Sequence, residues 1–219
     1  VNALVLANGE LYEAEVLRRR ISKEVFDLVI GVDGGSLHAS ELNVTIDVII
    51  GDMDSISPHE QEENKNARFI SYPEKKDETD LELALLYSKA QEVDKIVVVG
   101  AMGGRMDMTI SNIQLLAHAS SGSCRIEVWH GNQTGWIIHP PGEDIPGNVG
   151  DTVSLIPIGG NSLGITTKGL KYPLNNEELT MKSRGVSNRI DSLPAHVAFS
   201  EGLLMVVHTP EKSIERQGR

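Results

Sequence analysis

The chain has 219 residues, 40% of them hydrophobic, with 31 acidic against 20 basic side chains and a formal net charge of -11. That balance, with no long basic run, excludes a non-specific polyanion binder, and the single cysteine, Cys124, excludes an intramolecular disulfide. No stretch approaches the roughly 18 apolar residues of a membrane span and the start lacks a basic signal-like segment, so the expectation is a cytoplasmic protein whose core buries roughly 70% of its unfolded surface.

In chain order, the first half alternates β-rich runs with amphipathic stretches. The segments "NALVLAN", "FDLVIGVD", "DVIIGD", "ARFISYP" and "DKIVVVGA" read as strands. Between them helices are predicted from Leu11 to Ile21, after Gly35 to about Leu42, and from Pro58 to about Asn66. A fourth starts at "TDLE", a capping box with Thr79 as N-cap and Glu82 reaching back, and carries Leu81, Ala84, Leu85 and Ser88 on one face. A fifth runs from about Asp107 to His118. Strand and helix in repeated alternation predict a parallel, Rossmann-like α/β domain over residues 1–122.

At "SSGS", residues 120–123, the texture changes. The runs "CRIEVWH", "TGWIIHP", "DTVSLIPI", "ITTKGLKY", "LTMKSRGVSN" and "HVAFSEGLLMVVHT" then predict an antiparallel β-sandwich over residues 123–219.

In an open parallel sheet, ligands collect beyond the carboxyl ends of the strands. Asp33 follows "VIGV", Asp52 and Asp54 follow "VIIG", Asp80 starts a helix after "ISYP", and Arg105 and Asp107 follow "IVVVGAMGG". Singly, each has a plain reading: turn residues for Asp33, Asp52 and Asp54, and helix-terminal carboxylates for Asp80 and Asp107. Gly103 and Gly104 either close a turn or let backbone N–H groups approach a phosphate. Together, five aspartates at one sheet edge repel unless a cation sits among them. An all-oxygen ligand set favours a hard ion, Mg²⁺, and with it a nucleoside triphosphate, although neither the P-loop pattern nor GxGxxG occurs. Arg105 is the natural phosphate partner. His130, His139, His196 and His208 show no ligand pattern and read as structural.

Taken in order, "DGG" (33–35), "GDMDS" (51–55), "DETDLELAL" (77–85), "GAMGGRMDMTISNI" (100–113), "TTKGLKYPL" (166–174) and "SRGVSN" (183–188) resemble the thiamine pyrophosphokinase family. The resemblance implies an ATP-binding catalytic domain followed by a thiamine-binding β-sandwich, paired as a homodimer with active sites between subunits. It implies Mg²⁺-dependent transfer of the pyrophosphoryl group of ATP to thiamine, giving thiamine diphosphate and AMP. Asp52, Asp54 and Asp80 would hold metal and pyrophosphate, with Arg105 and Asp107 completing the catalytic set. Asp33, Gly34, Gly35, Lys76, Thr79, Gly103, Gly104 and Arg105 would lie about ATP. Ser187 and Asn188, with Asp107, would meet thiamine, and Trp129, Trp136 and Tyr172 are the candidates to stack on its ring. Neither nucleic acid nor membrane enters as a partner. The alternatives are a phosphatase or sugar transferase using Asp52 and Asp54 as a DxD pair, or a non-catalytic nucleotide-sensing dimer.

Overall fold

The computed structural model describes residues 1–52, 62, 64–73, 75–122 and 124–211, in two compact units, Val1–Asn132 and Gln133–Arg219. In the first unit six strands are mutually parallel: β1 (Asn2–Leu6), β2 (Leu28–Val32), β3 (Val48–Gly51), β4 (Arg68–Ser71), β5 (Lys95–Val99) and β6 (Arg125–His130). Their spatial order is β6-β5-β1-β2-β3-β4. The described helices are α1 (Ala14–Ile21), α2 (His38–Leu42), α3 (Asp80–Ala90) and α4 (Met106–Ala119), with a 3-10 turn over Asp33–Leu37 running into α2.

The period of the strands sorts the core. Ala3 and Val5 of β1 point to the face that holds Leu81, Leu85 and Leu116, whereas Leu4 and Leu6 point to the face that holds Leu17, Ile21 and Leu42. All four β1 side chains are 0% exposed, as a strand covered on both faces requires. Helix α3 begins where its cap predicts, Thr79 Oγ1 accepting from the Glu82 N–H at 3.2 Å. The first helix starts later than its pattern suggests, because Glu13 adopts a left-handed conformation and Ala14 is the first helical residue. The helix predicted over Pro58–Asn66 falls largely outside the described residues.

"CRIEVWH" differs from expectation. As β6 it joins the parallel sheet beside β5, so the spacer at 120–123 links α4 to a strand of the first unit. Its polar-apolar alternation resembles an antiparallel strand, but the α4 crossover dictates parallel pairing.

The second unit is antiparallel throughout. One sheet has the order β12-β9-β14-β7, with β7 (Gln133–Ile138), β9 (Thr152–Pro157), β12 (Asn188–Arg189) and β14 (Leu204–Thr209); the other is β11-β10-β13-β8, with β8 (Gly142–Ile145), β10 (Ser162–Lys168), β11 (Glu177–Leu179) and β13 (Ala195–Ala198). Trp136, Leu155, Ile165, Val197 and Val206 belong to its core. Two predicted strands are each divided: "LTMKSRGVSN" by the turn before β12, and "HVAFSEGLLMVVHT" by the turn between β13 and β14. The imidazoles serve structure where their contacts are seen, His208 Nε2 lying 2.8 Å from Asp151 Oδ2 and His130 stacking on Tyr12. No described helix is long and apolar enough to cross a membrane.

Candidate active site

Strand order reverses at β1: the chain proceeds outward through β2, β3 and β4, then returns to lay β5 on the other side. Such a switch point leaves a crevice at the carboxyl ends of the two diverging strands. A cleft of about 550 Å³ lies there, lined by the loops after β1 and β5 and by the start of α3. The two loops extend the pairing of their strands, with Ala7 N donating to Val99 O at 2.9 Å, Gly9 N to Gly100 O at 2.8 Å and Glu10 N to Met102 O at 3.0 Å. Gly103, at φ 89°, turns the second loop against the Glu10 side chain, a conformation and a clearance that a larger residue lacks.

Asp33, Thr79, Asp80, Gly103, Gly104 and Arg105 all line this cleft, whereas Asp52, Lys76 and Asp107 are not among its lining residues. Asp33 has a left-handed φ of 46° at the head of the 3-10 turn. Its Oδ1 lies so close to the Gly51 Cα that a methyl group there would overlap it. That oxygen is buried and has no hydrogen-bond partner. Burial, then the Asp80 carboxylate, with which Asp33 hydrogen-bonds only when protonated, then the charge of Asp52, push the Asp33 carboxyl up to about 7 against the opposing pull of Lys76. Lys76 Nζ in turn lies 2.6 Å from Asp80 Oδ1. Asp33, Asp52, Asp80 and Lys76 are therefore one electrostatic unit. Asp54, the second carboxylate of "GDMDS", lies outside the described residues.

Arg105 and Asp107 engage each other. Arg105 Nη2 donates to Asp107 Oδ2 at 2.6 Å and Nε to Oδ1 at 3.1 Å, with side chains 73% and 64% exposed. The guanidinium, and secondarily the Met108 N–H, hold the Asp107 carboxyl below its ordinary value. Gly34 and Gly35 do not line the cleft. They allow the 3-10 turn to pack on the end of β1, Gly34 beside the Asn8 amide and Gly35 against the Leu6 carbonyl.

Three cleft residues with polar side chains escape sequence reasoning: Asn8, Glu10 and Asn112. The "ANGE" that follows the first strand satisfies the same strand-end rule that singled out the aspartates, and applying it there finds the first two. Asn112 is 7% exposed, its Nδ2 donating to Ala101 O at 2.7 Å and so pinning the loop after β5. Its Oδ1, like Asp33 Oδ1, is a buried acceptor with no partner. Of the three such atoms among the described residues, two are carried by residues that line the cleft.

Ser187 and Asn188 lie in the second unit. Ser187 is exposed with a left-handed φ of 60°, its N–H donating to Ser154 Oγ at 3.0 Å. Asn188 is 6% exposed and both ends of its amide are engaged: Oδ1 accepts from Tyr172 N at 3.0 Å and Arg189 N at 2.9 Å, while Nδ2 donates to Tyr172 O at 2.8 Å. It clamps the Tyr172 backbone as a paired strand would. Of the three stacking candidates, Trp129 and Trp136 are each 3% exposed, with indole N–H groups donating to Glu127 and Glu143, and Tyr172 alone is open, at 61%.

Comparison with known proteins agrees with both units. Residues 22–128 match the family described as thiamin pyrophosphokinase, catalytic domain, and residues 137–204 match thiamin pyrophosphokinase, vitamin B1 binding domain. The thiamine pyrophosphokinase of Bacillus subtilis is 32% identical over 189 residues, covering 84% of this chain and 88% of that one. A rice protein named thiamine pyrophosphokinase 1 is 31% identical over 146 residues, covering 61% of this chain and 54% of its own. Among solved structures, thiamine pyrophosphokinase from Bacillus subtilis superposes with a TM-score of 0.83 at 27% identity, over 96% of this chain and all of that one. The yeast enzyme, at 18% identity and a TM-score of 0.75 over 94% of this chain and 85% of its own, shares the fold.

Proposed function

The chain belongs to the thiamin pyrophosphokinase family, with catalytic and vitamin B1 binding parts in order, and from that premise we propose how its own residues serve pyrophosphoryl transfer from ATP to thiamine. The observation that carries the assignment of the site is the acidic edge: three mutually repelling carboxylates, Asp33, Asp52 and Asp80, beside a cleft walled by two backbone loops.

In the reaction the hydroxyethyl oxygen of thiamine bonds to the β-phosphorus of ATP. The bond from that phosphorus to the α,β-bridging oxygen breaks, AMP leaves, and the hydroxyl proton is released. Such a transfer demands positioning and charge neutralisation more than a protein nucleophile. Bringing a triphosphate to an edge with this much negative charge requires added positive charge. The donors are all oxygens. They fit a hard divalent cation such as Mg²⁺, which takes one or two protein carboxylates and fills its shell with phosphate and water. No three described His, Cys, Asp or Glu residues form a ready-made cage. Asp52, Asp54 and Asp80 would hold it, and when bound it neutralises the charge developing on the transferred group. Gly103, Gly104 and Thr79, which line the cleft, would border the phosphates, and Arg105, also in its lining, would exchange Asp107 for them.

Ser187 would present its hydroxyl to thiamine. The Asn188 side chain is engaged internally, so its part is to hold Tyr172 and Ser187 in place. A homodimer is part of the same reading, supported by Met106 and Ile110, one helical turn apart on α4 and 77% and 51% exposed. The phosphatase and sensor readings give way because each accounts for less than the paired match over both units.

The test is a quenched reaction of purified protein with ATP, Mg²⁺ and thiamine, separating AMP, ADP and thiamine diphosphate, with thiamine omitted as control. Thiamine-dependent AMP with equimolar thiamine diphosphate is the expected result; ADP or free phosphate overturns the reading.

A further inference from the structure

The acidic edge contains a positive charge of its own. Lys76 Nζ approaches Asp80 Oδ1 to 2.6 Å, with the two side chains only 13% and 22% exposed, and the same ammonium faces Asp33 and Asp52. Resting on the reading that these carboxylates share a cation with the nucleotide, we propose that Lys76 is the resident counter-cation of the site, occupying Asp80 while the cleft is empty and passing to the phosphate oxygens when the metal-nucleotide complex arrives.

The geometry requires a competition. A carboxylate oxygen in a short, charge-assisted contact with an ammonium is not open to a metal ion, and the two positive charges repel across the same oxygens. The local chain architecture permits the exchange. Helix α3 begins at Asp80 with Thr79 as its cap, so Lys76 precedes the helix, on the connecting segment after β4. Its side chain can leave Asp80 without unwinding a helical turn. Arg105, which lines the cleft, is directed to Asp107, whereas the Lys76 ammonium acts on Asp33, Asp52 and Asp80 together. The edge is arranged around an ammonium, and a metal ion arriving alone meets an occupied place. One arriving with phosphates brings acceptors onto which the lysine can move. Cation and nucleotide would therefore bind together far better than the cation alone.

The experiment is Mn²⁺ binding to the nucleotide-free full chain, followed by electron paramagnetic resonance, for wild type, Lys76→Met, Lys76→Arg and Lys76→Met combined with Asp80→Asn. Loss of the ammonium should tighten Mn²⁺ binding by at least about tenfold. Lys76→Arg should stay near wild type, and adding Asp80→Asn should abolish the gain. Weaker binding of the Mn²⁺-ATP complex to Lys76→Met would support the transfer of the ammonium to phosphate. If Asp80→Asn removes Mn²⁺ binding but Lys76→Met does not strengthen it, the counter-cation proposal fails while the carboxylate site stands. If Mn²⁺ binding ignores Asp80→Asn in every background, the carboxylate site itself is wrong and the proposal falls with it. Circular dichroism of each variant separates these results from misfolding.

Discussion

Replacing Asp33 by asparagine should stabilise the ligand-free protein, and only above the acid range. Asparagine keeps the shape that fits over Gly51 and tolerates the left-handed backbone at this position. What it removes is charge. The Asp33 carboxyl has an ordinary value of 3.8 and is raised to about 7, first by burial and then by Asp80 and Asp52. At about 1.4 kcal/mol per pH unit, ionising it in the folded chain is opposed by an upper bound of about 4 kcal/mol. The cleft is open to water, so screening reduces this to about 1–2 kcal/mol. Between pH 4 and 7 the folded state holds a proton that the unfolded chain has released, so wild-type stability falls as pH rises through this window and the loss is complete above about 7. Thermal unfolding without nucleotide or metal should therefore place Asp33→Asn about 3–6 °C above wild type at pH 8. The gap should shrink steadily toward pH 4.5. A pH-independent gap, or a variant less stable than wild type at pH 8, would refute the account of Asp33 as a carboxyl held under electrostatic stress.

Asp52→Asn should lower turnover at least about a hundredfold, the scale of a lost charge-stabilising group, with far-UV circular dichroism unchanged; near wild-type turnover would remove Asp52 from the site. Ser187→Ala should raise the KM for thiamine much more than that for ATP, and equal effects on both would separate Ser187 from thiamine recognition. Gly51→Ala should destabilise the protein by about 1–3 kcal/mol, as overpacking does, because the new methyl overlaps the Asp33 carboxylate. Combining it with Asp33→Ala should restore most of that loss in urea unfolding, and strictly additive effects would show that the two residues do not collide.

The sequence makes the acidic strand-end edge legible because its physical rule is local: apolar run, then carboxylate, four times over. The parallel strands follow from the same regularity, and Thr79 announces α3 through a cap whose hydrogen bond is present. Features that depend on distant partners are not legible. "RIEVWH" carries an alternation compatible with either sheet, and only its pairing with β5 decides. "GEDI" has two carboxylates in four residues and is not among the predicted strands, yet it forms β8 by pairing with β13. Asn188 sits in a motif suggestive of ligand contact, but its amide meets the Tyr172 backbone 16 residues away, a distance no spacing argument spans. Asn112 is missed for a related reason: one polar residue on an apolar helix face gives no sign of the carbonyl it will hold.

The pairing of the loops after β1 and β5 has a consequence for how such chains can diverge. Gly9 and Gly100 each pack so tightly on the opposite loop that the two backbones have a fixed separation, and each hydrogen bond links a defined residue of one loop to a defined residue of the other. An inserted or deleted residue in either loop would shift every later link out of step and displace Gly103 from the wall of the cleft. Length changes in descendants of this chain should therefore accumulate elsewhere, while these two turns keep their residue counts even after their side chains have been exchanged.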